Sequence, residues 1–159
     1  MELVADANVL IDYAQTDPSV LTLHVRHVGP IYVPSVILDE VDQLDAADCE
    51  NLGLTVVEES LEILVAATEE RGRLSFEDRV CLLLARANQW TCITNERPLH
   101  RACEQENIAS IWGLRLMIEL VHAEQLPRNN AIEVARAIHR INPRYITQEI
   151  LDRFEAELA

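Results

Sequence analysis

The chain has 159 residues, 49% of them hydrophobic and 25% charged, with four cysteines and a formal net charge of −14. Such a chain can build one domain with a proper core, which excludes a disordered tail protein and a disulfide-framed miniprotein. All 13 basic residues are arginine, so a Schiff-base lysine, a P-loop lysine and a phosphate-binding lysine are excluded as well.

The charge is uneven along the chain. Residues 1–70 hold 15 acids against the single base Arg26, while residues 71–159 hold 12 acids and 12 arginines. An overall field of this sign does not attract nucleic acid, so any such binding is local, through arginines or a bound metal. The acidic half reads either as a solvated face or as the seat of an acidic site or a basic partner. No apolar run approaches the roughly 20 residues of a membrane span. The opening Met1-Glu2-Leu3-Val4-Ala5-Asp6 lacks the basic start of a signal peptide. Cys49, Cys81, Cys92 and Cys103 show no CxxC spacing and read as reduced, mostly buried thiols of a cytoplasmic protein.

Glu2 to Asp6 reads as a short buried strand that ends in an acid. Residues 7–14 and 20–28 show helical spacing of apolar positions. Gly29 to Pro34 reads as a second strand, and residues 35–46 as the helix that follows it. Leu54 to Val57 is the third strand. Ser60 caps a helix expected to run to Arg71, with Gly72 as its stop. Ser75 and Asp78 form a capping-box-like start to the apolar run Val80 to Ala87. Trp90 to Thr94 is the fourth strand, 96–106 a helix, Ile108 to Trp112 the fifth strand and 113–125 a helix. Beyond Pro127 only helices are expected, over 130–141 and 146–158. The second carries Ile146, Ile150, Leu151, Phe154 and Leu158 on one stripe, which suits core packing or a dimer or partner face.

Strand alternating with helix, with near-continuous apolar strands, argues for a central parallel sheet of about five strands in a three-layer α/β/α, Rossmann-like arrangement. The expected organisation is one domain over 1–159, with a core over 1–125 and a helical extension over 126–159.

Ligands of open parallel sheets bind beyond the carboxyl ends of the strands. Asp6 closes the first strand. Glu40 follows the second, and a helical side chain there leans back toward the sheet edge. Asp78 lies in the first turn of its helix, and Glu96 opens the helix after the fourth strand. Each has a plain alternative: a cap for Asp78, a helix-dipole acid for Glu96, a solvated face for Glu40. An acid ending a buried strand has little structural purpose, so Asp6 is the hardest to dismiss. Converging carboxylates repel, and a divalent cation removes that cost. Oxygen-only ligands suit Mg²⁺ or Mn²⁺, which lower the pKa of water and neutralise phosphate charge.

Four segments carry a family resemblance. Ala5-Asp6-Ala7-Asn8-Val9-Leu10-Ile11-Asp12-Tyr13 looks like the opening signature of the PIN domain. Val33-Pro34-Ser35-Val36-Ile37-Leu38-Asp39-Glu40-Val41, Leu74-Ser75-Phe76-Glu77-Asp78 and Ile93-Thr94-Asn95-Glu96-Arg97-Pro98-Leu99 resemble its three later motifs, in order. The family's fourth motif usually ends in aspartate; here Glu96 stands there, one methylene longer. The resemblance spans about residues 1–125. It implies a Mg²⁺- or Mn²⁺-dependent ribonuclease with Asp6, Glu40, Asp78 and Glu96 as the catalytic, metal-binding acids and with Asn8, Thr94 and Asn95 nearby as substrate-binding residues. Small members are commonly toxins of type II toxin–antitoxin pairs that dimerise and are silenced by an antitoxin. The partners implied are thus an RNA substrate, a second copy and an antitoxin with a basic segment.

Arg97 and Arg101, one helical turn apart, are candidates for substrate phosphates, with pairing to Glu104 or Glu106 as the alternative. Arg71, Arg73 and Arg79 flank the Asp78 motif and read the same two ways. The five histidines form no metal or triad pattern. Without a lysine the chain is no receiver domain; without Asp-x-Asp it is no dehalogenase-like phosphatase; without Gly-x-Gly-x-x-Gly it binds no dinucleotide in the usual way. The competing reading is a catalytically weak or inactive scaffold of the same fold that binds protein or RNA.

Overall fold

The computed structural model describes residues 1–69 and 72–159. Strands β1 (Leu3–Ala5), β2 (Ile31–Pro34), β3 (Thr55–Val57), β4 (Thr91–Ile93) and β5 (Ser110–Ile111) form one sheet. Its order is β3-β2-β1-β4-β5, and every pairing is parallel. The chain runs outward from β1 through β2 to β3, then returns to lay β4 on the other side of β1. The reversal places a crevice at the carboxyl ends of β1 and β4, where such sheets bind ligands. The register sets Ala5 beside Ile93, so the residues after both strands meet.

The helices are α1 (Ala7–Thr16), α2 (Ser19–His27), α3 (Ser35–Leu38), α4 (Ala46–Leu52), α5 (Leu61–Ala67), α6 (Phe76–Asn88), α7 (Arg97–Gln105), α8 (Arg115–His122), α9 (Arg128–Ile141) and α10 (Gln148–Leu158). The Ser75 capping box holds as expected: Asp78 N–H donates to Ser75 Oγ, and Ser75 N–H to Asp78 Oδ2. Ser60 caps α5 through the Ile63 amide. The helix expected to continue to Arg71 ends at Ala67, and Arg71 lies outside the described residues.

The helix expected over 35–46 stops at Leu38; residues 39–45 are turn and irregular backbone, and α4 begins only at Ala46. Asp39, Asp42 and Asp45 would stack like charges at helical spacing, which works against one continuous helix. Asp45 instead starts α4, in a capping box with Asp48. Glu40 therefore lies in the turn after α3, not within a helix.

One continuous apolar cluster runs from Leu3 and Leu10 through Leu116 and Met117 to Ile138, Leu151, Phe154 and Leu158. The stripe on α10 is thus turned inward: Leu151, Phe154 and Leu158 are buried and Ile150 is partly buried, while Ile146, expected on the same helix, is buried in the bend before it. All four cysteines are free and buried. Among the described residues no helix is long and apolar enough to cross a membrane.

Candidate metal centre

Asp6, Asp78 and Glu96 each offer a carboxylate oxygen, and these atoms lie within 4.8 Å of one another. Three separate elements deliver them. Asp6 follows β1 directly, at the N-cap of α1. Its side chain makes no cap to that helix and instead accepts from Thr94 Oγ1 at 2.8 Å. Glu96 is the N-cap of α7 but likewise leaves its own helix uncapped. Its Oε1 accepts from Asn8 Nδ2 at 2.9 Å. Asp78 sits in the first turn of α6, which packs against both β1 and β4. The capping and site readings of Asp78 are therefore compatible, since a carboxylate has acceptor sites to spare.

Burial and mutual repulsion push these acids toward the protonated form. The Asp6 carboxyl is raised to about 6, first by burial and then by the charge of Asp78, against the lowering effect of its Thr94 bond. Glu96 is raised to about 7 by burial and by the charges of Asp78 and Asp6. Asp78 is also raised, chiefly by burial. An oxygen-only set that resists ionisation until a positive charge arrives fits a hard divalent cation. Glu40 is not in this 4.8 Å set but lies within reach of its charges. It is exposed, its carboxyl is raised by partial burial, by Glu77 and by the charge of Asp78, and its own charge raises Asp6 and Glu96.

The polar residues around the trio are mostly engaged within the protein. Thr94 Oγ1 also accepts the Glu96 amide at 3.1 Å. Asn95 is buried; its Oδ1 takes the Gly113 amide at 2.9 Å and its Nδ2 donates to Asp12 at 3.3 Å. Arg97 and Arg101 are exposed on α7, and no ion pair among the described residues involves either of them or Arg73. Arg73 and Arg101 line a cavity of about 530 Å³ together with Leu74, Pro98, Gln105 and Glu106. It lies between α6 and α7, the helices that carry Asp78 and Glu96. Arg79 is not free for substrate, because it is buried and its guanidinium donates to the Ala67 and Leu74 carbonyls.

Two supporting residues carried no assigned role in the sequence. His100 Nε2 donates to the Thr94 carbonyl at 2.7 Å, Ser110 Oγ lies 2.8 Å from Nδ1, and the ring packs on Trp112. Burial lowers the His100 pKa, which suits this neutral form. Asp12 is a buried acid on α1. The only sequence signal for it was an acid next to Tyr13 within an otherwise apolar helix.

No family model matches the sequence, and no curated protein matches it. Among solved structures, a PilT N-terminus domain protein from the hyperthermophilic archaeon Sulfolobus solfataricus P2 is similar at a TM-score of 0.55 and 11% sequence identity. The match covers 75% of this chain and 92% of the other. At that identity the likeness is one of fold.

Proposed function

We propose that this chain, which has the PIN-domain fold, is a metal-dependent endoribonuclease. The carrying observation is the trio Asp6, Asp78 and Glu96, whose oxygens lie within 4.8 Å of one another at the β1–β4 crevice. Asp6, Asp78 and Glu96 would hold Mg²⁺ or Mn²⁺, with exposed Glu40 reaching in from the β2 side. A divalent cation there supplies Lewis-acid activation of water and neutralises charge on the scissile phosphate. Thr94 fixes Asp6, and Asn8 fixes Glu96, so the ligand oxygens are aimed before the ion arrives.

The exposed Arg97 and Arg101 lie on the helix that Glu96 opens, where they can take phosphates on either side of the cut. The cavity shared by Arg73 and Arg101 extends that path toward α6. In a chain of net charge −14, these local arginines are what hold RNA. Asn95, with both amide atoms engaged internally, supports the site rather than the substrate.

The finer reading is a cytoplasmic toxin of a type II pair, with 1–159 as one domain that forms a homodimer. An antitoxin would cover the acidic half with a basic segment, a reading supported by the charge of residues 1–70. Charge reversal in that half that left an antitoxin complex intact would oppose it.

The test is cleavage of varied RNAs by purified protein with Mn²⁺, with Mg²⁺ and with EDTA, beside Asp6→Asn and Glu96→Ala. The expected result is metal-dependent cutting that leaves 5′-phosphates and is lost in Asp6→Asn. Products ending in 2′,3′-cyclic phosphate would overturn hydrolysis by water. A folded protein that neither cuts RNA nor binds either ion would be a scaffold.

A further inference from the structure

Among the described residues, Asp12 is the one buried acid outside the trio, 4% exposed within the apolar packing of α1. No arginine or histidine pairs with it among those residues. Its partners are two amides. Asn95 Nδ2 donates to Oδ2 at 3.3 Å, and Asn142 Nδ2 donates to Oδ1 at 3.1 Å. Burial raises its carboxyl to about 6, and the Asn142 bond opposes that rise. A buried carboxylate with no cation costs stability, and an apolar residue in its place would pack without that cost. Stability alone therefore does not account for Asp12.

Its position does. Asn95 stands between Thr94, which holds Asp6, and Glu96. The orientation of the Asn95 amide is fixed, because Oδ1 accepts the Gly113 N–H and only Nδ2 is left to face α1. Gly113 closes on it from the far side: a Cβ there would stand 2.9 Å from Asn95 Oδ1. Tyr13, next to Asp12, donates to the Gly113 carbonyl at 2.7 Å and ties the same two elements together. Asn142 is the C-cap of α9, so the chain beyond residue 126 reaches the turn through Asp12 alone in this network.

We propose that Asp12 is a positioning residue for the acid centre: clamped by Asn142, it holds Asn95 and thereby sets where Glu96 points. The helical extension is then a working part of the site. The metal half of this proposal rests on the function proposed above; the positioning half does not.

The experiment compares wild type, Asp12→Ala and Asn142→Ala, each checked for native circular dichroism. Asn142→Ala serves as the second route should Asp12→Ala fold poorly, because it changes only a partly exposed clamp. Amide hydrogen exchange is measured on metal-free protein and Mn²⁺ binding by calorimetry. Both variants should speed exchange of the Glu96 amide by about tenfold while amides of β1 stay unchanged. Both should raise the Mn²⁺ Kd by about tenfold, the usual scale for losing a residue that orients a ligand. Unchanged exchange at Glu96 in both variants would overturn the proposal. Faster exchange with Mn²⁺ binding intact would overturn it too, since Asp12 would then serve stability only. If wild type binds no Mn²⁺, the nuclease reading fails, and the exchange data alone decide whether Asp12 holds the turn.

Discussion

Asn8 and Glu96 are 88 positions apart in the chain, yet Asn8 Nδ2 donates to Glu96 Oε1 across 2.9 Å. Thr94 and Asp6 make the reciprocal link, at 2.8 Å and the same separation. Each segment thus supplies an acid and the donor that orients the other segment's acid. The parallel pairing of β1 with β4 makes this exchange possible, because it places the residues after Ala5 beside those after Ile93.

Asp6 binds its proton more tightly in the folded chain, at about 6, than its ordinary value of 3.8. Metal-free protein therefore loses stability as pH rises through that window and keeps it below. Asp6→Asn removes the buried charge and retains an acceptor for Thr94. At pH 8 without metal it should be more stable than wild type by up to about 3 kcal/mol. The advantage should vanish as pH falls from about 6 toward 3.8. Urea unfolding at both pH values checks this, and RNA cleavage by the same variant should fall by at least about 100-fold.

Metal affinity should carry the opposite pH dependence. Cation binding needs ionised carboxylates, and Asp6 and Glu96 hold protons up to about 6 and about 7. Mn²⁺ at 100 times its Kd should add about 2.7 kcal/mol at pH 8. That gain should shrink through pH 7 to 6 and be absent at pH 5. Melting curves with and without Mn²⁺ across this range test it.

Glu40 lies outside the trio and is exposed, whereas Glu96 is half-buried against Asp78 and Asp6. Glu40→Gln should therefore weaken Mn²⁺ binding less than Glu96→Gln does. Calorimetry of the two variants side by side gives the order; an equal or larger loss for Glu40→Gln would place it among the inner ligands.

Arg73→Ala and Arg101→Ala should raise KM for RNA and leave kcat near wild type, because both arginines line the cavity between α6 and α7 and neither belongs to the acid trio. Each phosphate contact removed should reduce the salt dependence of binding by about 0.7 in slope. Titration of a non-cleavable RNA at several salt concentrations measures this.

Ile138 on α9 is 1% exposed within the main cluster. Ile138→Ala should cost about 2–5 kcal/mol in a single unfolding transition. A second, separate transition would mean that the helices after residue 126 fold apart from the sheet.

The alternation of strand and helix, the five strands and the acids at their ends were all legible in the sequence, because they rest on local periodicity, caps and short apolar runs. The Ser75 and Ser60 caps were readable for the same reason: each bond spans three residues. Local reading failed at 35–46, where an acidic run looked continuous with a helix and the charges of Asp39, Asp42 and Asp45 worked against it. Which acids meet was settled in three dimensions. The strand order brings Asp6 to Glu96, and α6, packed over both strands, lowers Asp78 onto them, while Glu40 stays outside in its turn. Folding also gave Asp12 its partners, since Asn95 and Asn142 lie 83 and 130 positions away. A buried carboxylate selects its donors through space, and no spacing along the chain announces them.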